Sequence, residues 1–196
     1  MPSEGAMRLA KLISATLNAP LIAAVTFTIL VAASGSPSWP SLLLVSVLFA
    51  AVVPILILYA FKEKKIIPDM YASDRKTRTL PFLASVASYL VGYAVLFLMK
   101  APPLITVLML CYAVNTVVMT MITLVWKISI HASGVAGPSC AFGRAFGPVG
   151  YLFLLLVIPV GWARVTLKAH SPVQVIAGAA LSFLLTYFEL SIWLPA

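Results

Sequence analysis

Charged side chains are scarce in this chain of 196 residues, of which only 9% are charged. Soluble domains average about 25% charged residues. No charged residue occurs between Leu12 and Phe61, and 62% of the whole chain is hydrophobic. This composition excludes an ordinary soluble domain and indicates a protein embedded in a membrane.

Acidic residues and cysteines are also few, since the chain has five Asp and Glu together and two Cys. Asp69 and Asp74 are the only aspartates. A membrane prenyltransferase needs two aspartate clusters to bind Mg²⁺ and a diphosphate, so this class is disfavoured. Cys111 and Cys140 lie in apolar segments without metal-ligand spacing. We expect two buried small side chains there, and no disulfide, metal site or cofactor.

Uncharged runs bounded by polar loops predict membrane-embedded helices, since crossing a bilayer takes about 20 residues. The runs cover residues 17–33, 42–61, 79–99, 104–126, 131–143, 149–163 and 173–194. The fifth run is short, rich in small residues and interrupted by Pro138. It predicts a short buried helix, a re-entrant segment or a loop inside the bundle.

These runs predict an all-α fold, a polytopic transmembrane bundle with about six to seven membrane-embedded helices. Residues 1–196 form one domain, and the protein is expected to be a multi-pass protein of the cell membrane. Arg8 and Lys11 precede the first run, as in a signal peptide. That run exceeds the 7–15 residues of a typical signal core, so we expect it to be retained.

Basic residues show how the loops are arranged about the membrane. With seven crossings, eleven of the thirteen lie on one face, and only Lys100 and Arg144 lie opposite. If residues 131–143 do not cross, the division is ten to three at most. The positive-inside rule makes the face with more basic residues the cytoplasmic one. Such residues beside spans also bind lipid headgroups, and we expect no nucleic-acid partner.

Three polar groups share the basic face when there are seven crossings. They are the loop with Arg75, Lys76 and Arg78, the segment with Lys127, Ser129 and His131, and the segment with Arg164, Lys168, His170 and Gln174. Taken singly, each has a plain structural alternative, a solvated loop or a hydrogen-bonded bundle histidine. Together they place both histidines of the chain at span boundaries beside basic residues, where ionisable groups tend to mark function.

The side chains in these groups suit phosphate chemistry without a metal. Arginine binds phosphate oxygens in bidentate fashion and stabilises charge on a transferring phosphoryl group. One imidazole can attack phosphorus while a second protonates the leaving oxygen. The sequence therefore predicts a metal-independent phosphatase acting through a phosphohistidine on an amphipathic substrate.

The spacing of these residues resembles the motifs of the type 2 phosphatidic acid phosphatase superfamily. Its third motif is Ser-Arg, five residues, His, three residues and Asp. Arg164, His170 and Gln174 match that spacing, with Ala163 in place of Ser. The stretch "ISIH" resembles part of the second motif, Pro-Ser-Gly-His, and "DRKTRTLP" stands where the first motif would be.

The resemblance implies a role for each of these residues. His170 would be the nucleophile and His131 the general acid, and the phosphate would be held by Arg164, Arg75, Lys76, Arg78 and Ser129. The substrate would be a lipid phosphate or a polyprenyl diphosphate, held among membrane lipids and without a metal ion.

Gln174 replaces the aspartate of the third motif. It can orient His170 through a hydrogen bond but cannot stabilise an imidazolium by charge. A carboxylate from Asp69 or Asp74 could take over that role. Two alternatives to the phosphatase therefore stay open, a non-catalytic lipid-phosphate binder or transporter on the same scaffold, and a purely structural membrane protein.

Overall fold

The computed structural model of the chain describes residues 2–70 and 75–194, which form helices and no β-strand. The prediction of an all-α bundle is therefore confirmed. The helices are α1 Glu4–Thr16, α2 Ala19–Ala33, α3 Trp39–Glu63, α4 Thr79–Leu98, α5 Pro103–Val125, α6 Ile130–Phe146, α7 Val157–Thr166 and α8 Pro172–Trp193. A 3₁₀ helix, Gly147–Leu156, leads into α7, and α3 contains a π-helical turn, Leu48–Val52.

Among the described residues, five helical stretches are long and apolar enough to cross a membrane, and the bent pair α1–α2 is a sixth candidate. One of the five, Ile130–Thr166, folds back on itself after α6. Gly147 turns the chain there with a φ of +69°, and Gly150 lies against the backbone carbonyl of Phe142. The sequence analysis treated the two parts of this stretch as separate runs, 131–143 and 149–163, within an expected total of about six to seven membrane-embedded helices.

The weak stretch at residues 131–143 is part of α6, which is the most deeply enclosed helix of the bundle. Almost every residue from His131 to Gly143 is buried, and α6 packs along α8. Small side chains allow this close packing, because they let neighbouring backbones approach each other. Of the alternatives that the sequence left open, the structure shows a buried helix.

Helix α1 is a separate element that the sequence analysis did not anticipate. It meets α2 at a bend of 51°, and Asn18 caps the start of α2 by accepting a hydrogen bond from the Leu21 N–H at 3.0 Å. Leu9 and Leu12 are exposed on the helix beside Lys11, while Ser14 is buried. Apolar and basic side chains on one short helix are typical of a segment lying at the membrane interface.

One end of the bundle collects the helix ends that matter for function. The end of α1, the starts of α2, α4 and α6, the end of α7 and the turn before α8 all border one pocket. The loops and helix ends on this side carry most of the eleven basic residues that the seven-crossing arrangement places together. Lys100 and Arg144 lie at the opposite helix ends.

The start of α8 holds the segment that precedes α6. The Ser129 backbone N–H donates to the carbonyl oxygen of Gln174 at 3.2 Å, and the Ser129 hydroxyl caps α6 by accepting from the Ala132 N–H at 3.4 Å. One turn along α8, Gly178 faces the same backbone. A Cβ atom at Gly178 would lie 2.5 Å from the Ser129 carbonyl oxygen. Only glycine lets the two segments approach this closely.

We predict that Gly178→Ala lowers the free energy of unfolding by about 1–3 kcal/mol, because the added methyl group must push the Ser129 backbone away. Thermal unfolding in detergent measures the effect. Gly5→Ala is the matched control, since nothing lies within 4 Å of a Cβ atom there. Equal melting temperatures for Gly178→Ala and the unmodified protein would contradict the packing described.

Candidate active site

Two arginines and two histidines converge on one buried pocket. Arg78 comes from the start of α4, His131 from the first turn of α6, Arg164 from the last turn of α7 and His170 from the turn before α8. Each is at most 8% exposed. Four of the residues singled out in the sequence are thus brought together, although they lie as far apart as positions 78 and 170.

Gln174 orients the ring of His170. Its side-chain oxygen lies 3.2 Å from His170 Nδ1 and accepts the Ser171 backbone N–H at the same distance. Because the Ser171 N–H requires an acceptor, the amide of Gln174 must present its oxygen on this side. His170 Nδ1 therefore carries the proton and donates it to Gln174. Nε2 is left with the lone pair that a nucleophile needs.

The surroundings of His170 keep its ring neutral. Burial first, and then the positive charges of Arg164 and Lys127, lower the pKa of His170 to about 3. The hydrogen bond that His170 donates to Gln174 raises the pKa, and Arg78 adds a smaller lowering effect. An imidazole that is neutral at physiological pH can act as a nucleophile, whereas an imidazolium cannot.

Arg164 is held by the N-terminal helix. Its Nη1 donates to the Ser14 hydroxyl at 2.7 Å. Ser14 is itself 1% exposed. The end of α1 therefore positions one arginine of the pocket.

Arg78 is anchored from the opposite side. Its Nη2 donates to the Thr123 hydroxyl at 3.1 Å and to the Ile128 carbonyl at 3.3 Å. The guanidinium also lies over the Phe82 ring, 5.6 Å from its centroid. A guanidinium fixed on one side keeps its other N–H groups in a set direction, which suits bidentate recognition of phosphate.

Several sequence-predicted residues lie elsewhere. Arg75 Nη1 donates to the carbonyl of Thr123 at 3.1 Å and to that of Leu124, so it caps the C-terminal end of α5. Lys76 is exposed, and neither residue lines the pocket. Within the predicted cluster, the structure brings only Arg78 to the pocket.

Ser129 and Asp69 also lie outside the pocket wall. Ser129 caps α6 and supports the turn that carries His131, but it is not part of the pocket wall. Asp69 does not line the pocket either, and Asp74 lies outside the described residues. Gln174 accepts the orienting hydrogen bond from His170 that the sequence analysis expected.

Sequence reasoning missed the supporting residues of the site. Ser14 and Thr123 each hold an arginine, but neither has a pattern that distinguishes it from other small polar residues in helices. Lys127 was part of a polar segment, yet only the structure shows that its charge acts on His170. These roles depend on contacts between distant parts of the chain.

A second buried polar group joins α5 to α8 deeper in the bundle. Asn115 Nδ2 donates to the Thr186 hydroxyl at 2.8 Å and to Glu189 Oε2 at 3.4 Å. Asn115 is eight residues from Thr123, or about 12 Å along the helix axis. The group is thus separate from the pocket and ties the two helices together, as polar side chains do in membrane bundles.

No group of three or more His, Cys, Asp and Glu in the described part of the chain has the arrangement of a metal site. Cys111 and Cys140 are both buried and unpaired with each other, on α5 and α6. The donor set of the pocket is cationic and imidazole-based, which suits an anion.

Comparison with models of known protein families, with curated protein sequences and with solved structures gives no match. The geometry of the pocket therefore provides the basis for a proposed function.

We predict that Gln174→Glu raises the pKa of His170, because a carboxylate beside Nδ1 stabilises the imidazolium. NMR titration of the two histidine rings measures this, with His131→Gln to assign them. In the unmodified protein the His170 ring should titrate well below the ordinary histidine pKa of about 6.5. The same titration midpoint in both proteins would show that residue 174 does not contact the ring.

Proposed function

We propose that the protein is a membrane lipid phosphatase of the type 2 phosphatidic acid phosphatase kind, located in the cell membrane. It hydrolyses a lipid phosphate or a polyprenyl diphosphate through a phosphohistidine. The convergence of two guanidinium and two imidazole groups on one buried pocket supports this proposal. Arginines provide bidentate contacts to phosphate oxygens. Of the two imidazoles, one can serve as the nucleophile and the other as the general acid.

The apolar space beside the pocket supports a lipid substrate. A partly open apolar chamber lies between α2, α3, α4, α5, α6 and α8. It shares five wall residues with the cationic pocket, namely Ala19, Pro20, Leu58, Phe82 and Ile130. A substrate with a phosphate at one end and a hydrocarbon chain at the other fits this continuous space.

The first chemical step transfers the phosphoryl group to His170. Nε2 of the neutral ring attacks phosphorus, and the bond from phosphorus to the leaving oxygen breaks. His131, which takes up a proton from solvent as the phosphate anion binds, gives that proton to the leaving oxygen, so the lipid leaves as an alcohol, or as a monophosphate when the substrate is a diphosphate. Arg78 and Arg164 hold the phosphoryl oxygens throughout, and Gln174 keeps the proton on Nδ1.

The second step returns the enzyme to its starting state. Water attacks the phosphorus atom of the phosphohistidine, and His131, now neutral, accepts a proton from it. The bond between phosphorus and Nε2 breaks, inorganic phosphate leaves, and His170 is again neutral with a proton on Nδ1. The phosphorylated ring carries positive charge that Gln174 does not offset, because its amide is uncharged.

This difference favours one alternative, a non-catalytic lipid-phosphate binder or transporter on the same scaffold. The pocket would then hold the phosphate with Arg78 and Arg164 in the same way, and His170 would serve as a hydrogen-bond donor or acceptor. Binding of a lipid phosphate without release of phosphate would identify this case.

We expect the purified protein to release inorganic phosphate from lipid phosphates in mixed micelles, and to do so in EDTA. His170→Ala should lower kcat by at least about 10³-fold, since the nucleophile is lost. A colorimetric phosphate assay measures both effects. Inhibition by EDTA or full activity of His170→Ala would contradict the proposed mechanism.

Arg78 and Arg75 offer a matched pair of substitutions. Arg78→Ala should reduce kcat/KM by about 10²- to 10³-fold, because it removes a phosphate ligand that acts in the transition state. Arg75→Ala removes the same charge three residues away, outside the pocket, and should leave kcat/KM within about threefold at matched ionic strength. Equal losses in both variants would indicate a general electrostatic effect rather than a specific phosphate contact.

A further inference from the structure

At its inner end the apolar chamber is bordered by aromatic side chains, and at its outer end it shares walls with the cationic pocket. Near the pocket its walls include Phe82, and at its inner end they include Tyr89 and Tyr112. Along α5, Thr123, which holds Arg78, and Tyr112 are eleven residues apart, which corresponds to about 17 Å of helix. A chain that enters from the pocket therefore runs inward along most of half a bilayer.

Aromatic rings form the floor of the chamber. Tyr89 and Tyr112 both line it, with ring centroids 5.7 Å apart in an edge-on arrangement. Phe27 lies behind Tyr112, again with centroids 5.7 Å apart, and it is fully buried. Tyr112 thus contacts both other rings, and the three make a rigid layer because aromatic side chains have few rotatable bonds and pack closely.

Below this layer, α3 and α4 meet without a gap. The Ser88 hydroxyl donates to the Phe49 carbonyl at 2.8 Å, and a Cβ atom at Gly92 would lie 2.6 Å from Phe49 Cβ. Phe49 belongs to the π-helical turn Leu48–Val52, where the wider turn frees a carbonyl for such a bond. This contact seals the bundle just beyond Tyr89.

We propose that Tyr89 and Tyr112 determine the length of hydrocarbon chain that the site accepts. The favoured substrates are phosphates with a single chain up to about the length of an extended dodecyl group. A longer chain must bend or leave the chamber sideways, which weakens its binding. This inference rests on the proposed function only for its use of turnover as a readout, because chain binding can be measured without hydrolysis.

The test uses the full chain in detergent micelles with octyl, dodecyl and hexadecyl phosphate. Phosphate release gives kcat/KM for each chain, and calorimetry gives the affinity of the same compounds for His170→Ala. We expect kcat/KM and affinity to rise from octyl to dodecyl phosphate and to fall for hexadecyl phosphate. Tyr112→Ala should raise the hexadecyl-to-dodecyl ratio roughly tenfold.

Two further variants separate a specific effect from a general loss of packing. Ser85→Leu fills the chamber one turn above Tyr89 and should shift the preference toward octyl phosphate, the opposite direction. Its hydroxyl bonds only to Pro81 of its own helix, so the change breaks no contact between helices. Tyr93→Ala is the control, since Tyr93 lies on α4 beyond the floor and packs against Phe97 instead.

The outcomes of the two readouts are distinct. Turnover that is equal for all three chains, or a ratio that shifts alike in Tyr112→Ala and Tyr93→Ala, would overturn the role of the floor while leaving the phosphatase intact. No turnover together with the expected dependence of affinity on chain length would support the floor and remove the phosphatase. If Tyr112→Ala does not fold, the shift in Ser85→Leu decides alone, and its absence overturns the proposal.

Discussion

The arrangement of the site depends on two hydrogen bonds at the start of α8. The side-chain oxygen of Gln174 accepts from His170, and its backbone carbonyl accepts from Ser129, two residues before His131. One residue thereby sets the distance between the two imidazoles, which belong to segments about forty residues apart. Gly178 makes this possible, since it allows the Ser129 backbone to lie directly on α8. The pocket follows from a contact between backbones more than from any single side chain.

Burial of two guanidinium groups in an apolar bundle is costly, and the site reduces this cost by its position. Helix ends present hydroxyl and carbonyl groups that helix interiors do not, because the last carbonyls of a helix have no partner within it. Ser14 at the end of α1 and Thr123 near the end of α5 serve the arginines in this way. Farther from these ends the lining becomes mainly apolar, with Asn115 and Thr186 as polar side chains within it. Such a gradient suits an anion at one end and a hydrocarbon chain at the other.

The fold was largely predictable from the sequence, and the site only in part. The ends of the uncharged runs lie within about one helical turn of most of the observed helix ends. The two agree because a charged side chain is costly to bury in a membrane, so charges are found outside the spans. With seven crossings, successive loops alternate between the two membrane faces. This alternation predicted that His131, Arg164 and His170 lie at the same end of the bundle. The choice of Arg78 over Arg75 was not predictable, since both lie in one basic loop and only the packing of α5 separates them. The role of Ser14 was equally hidden, because it depends on a partner 150 residues away.

The bond between Ser14 and Arg164 has a consequence for the biogenesis of the protein. Chains enter the membrane from the N-terminus onward, so α1 emerges from the ribosome long before α7 does. Until α7 arrives, α1 must be retained at the lipid surface by its own exposed leucines and basic residues. The pocket is completed only when α7, the turn before α8 and α8 itself have been inserted. A chain released early from the ribosome therefore has His131 but lacks His170, so the pocket forms only at the final stage of membrane integration.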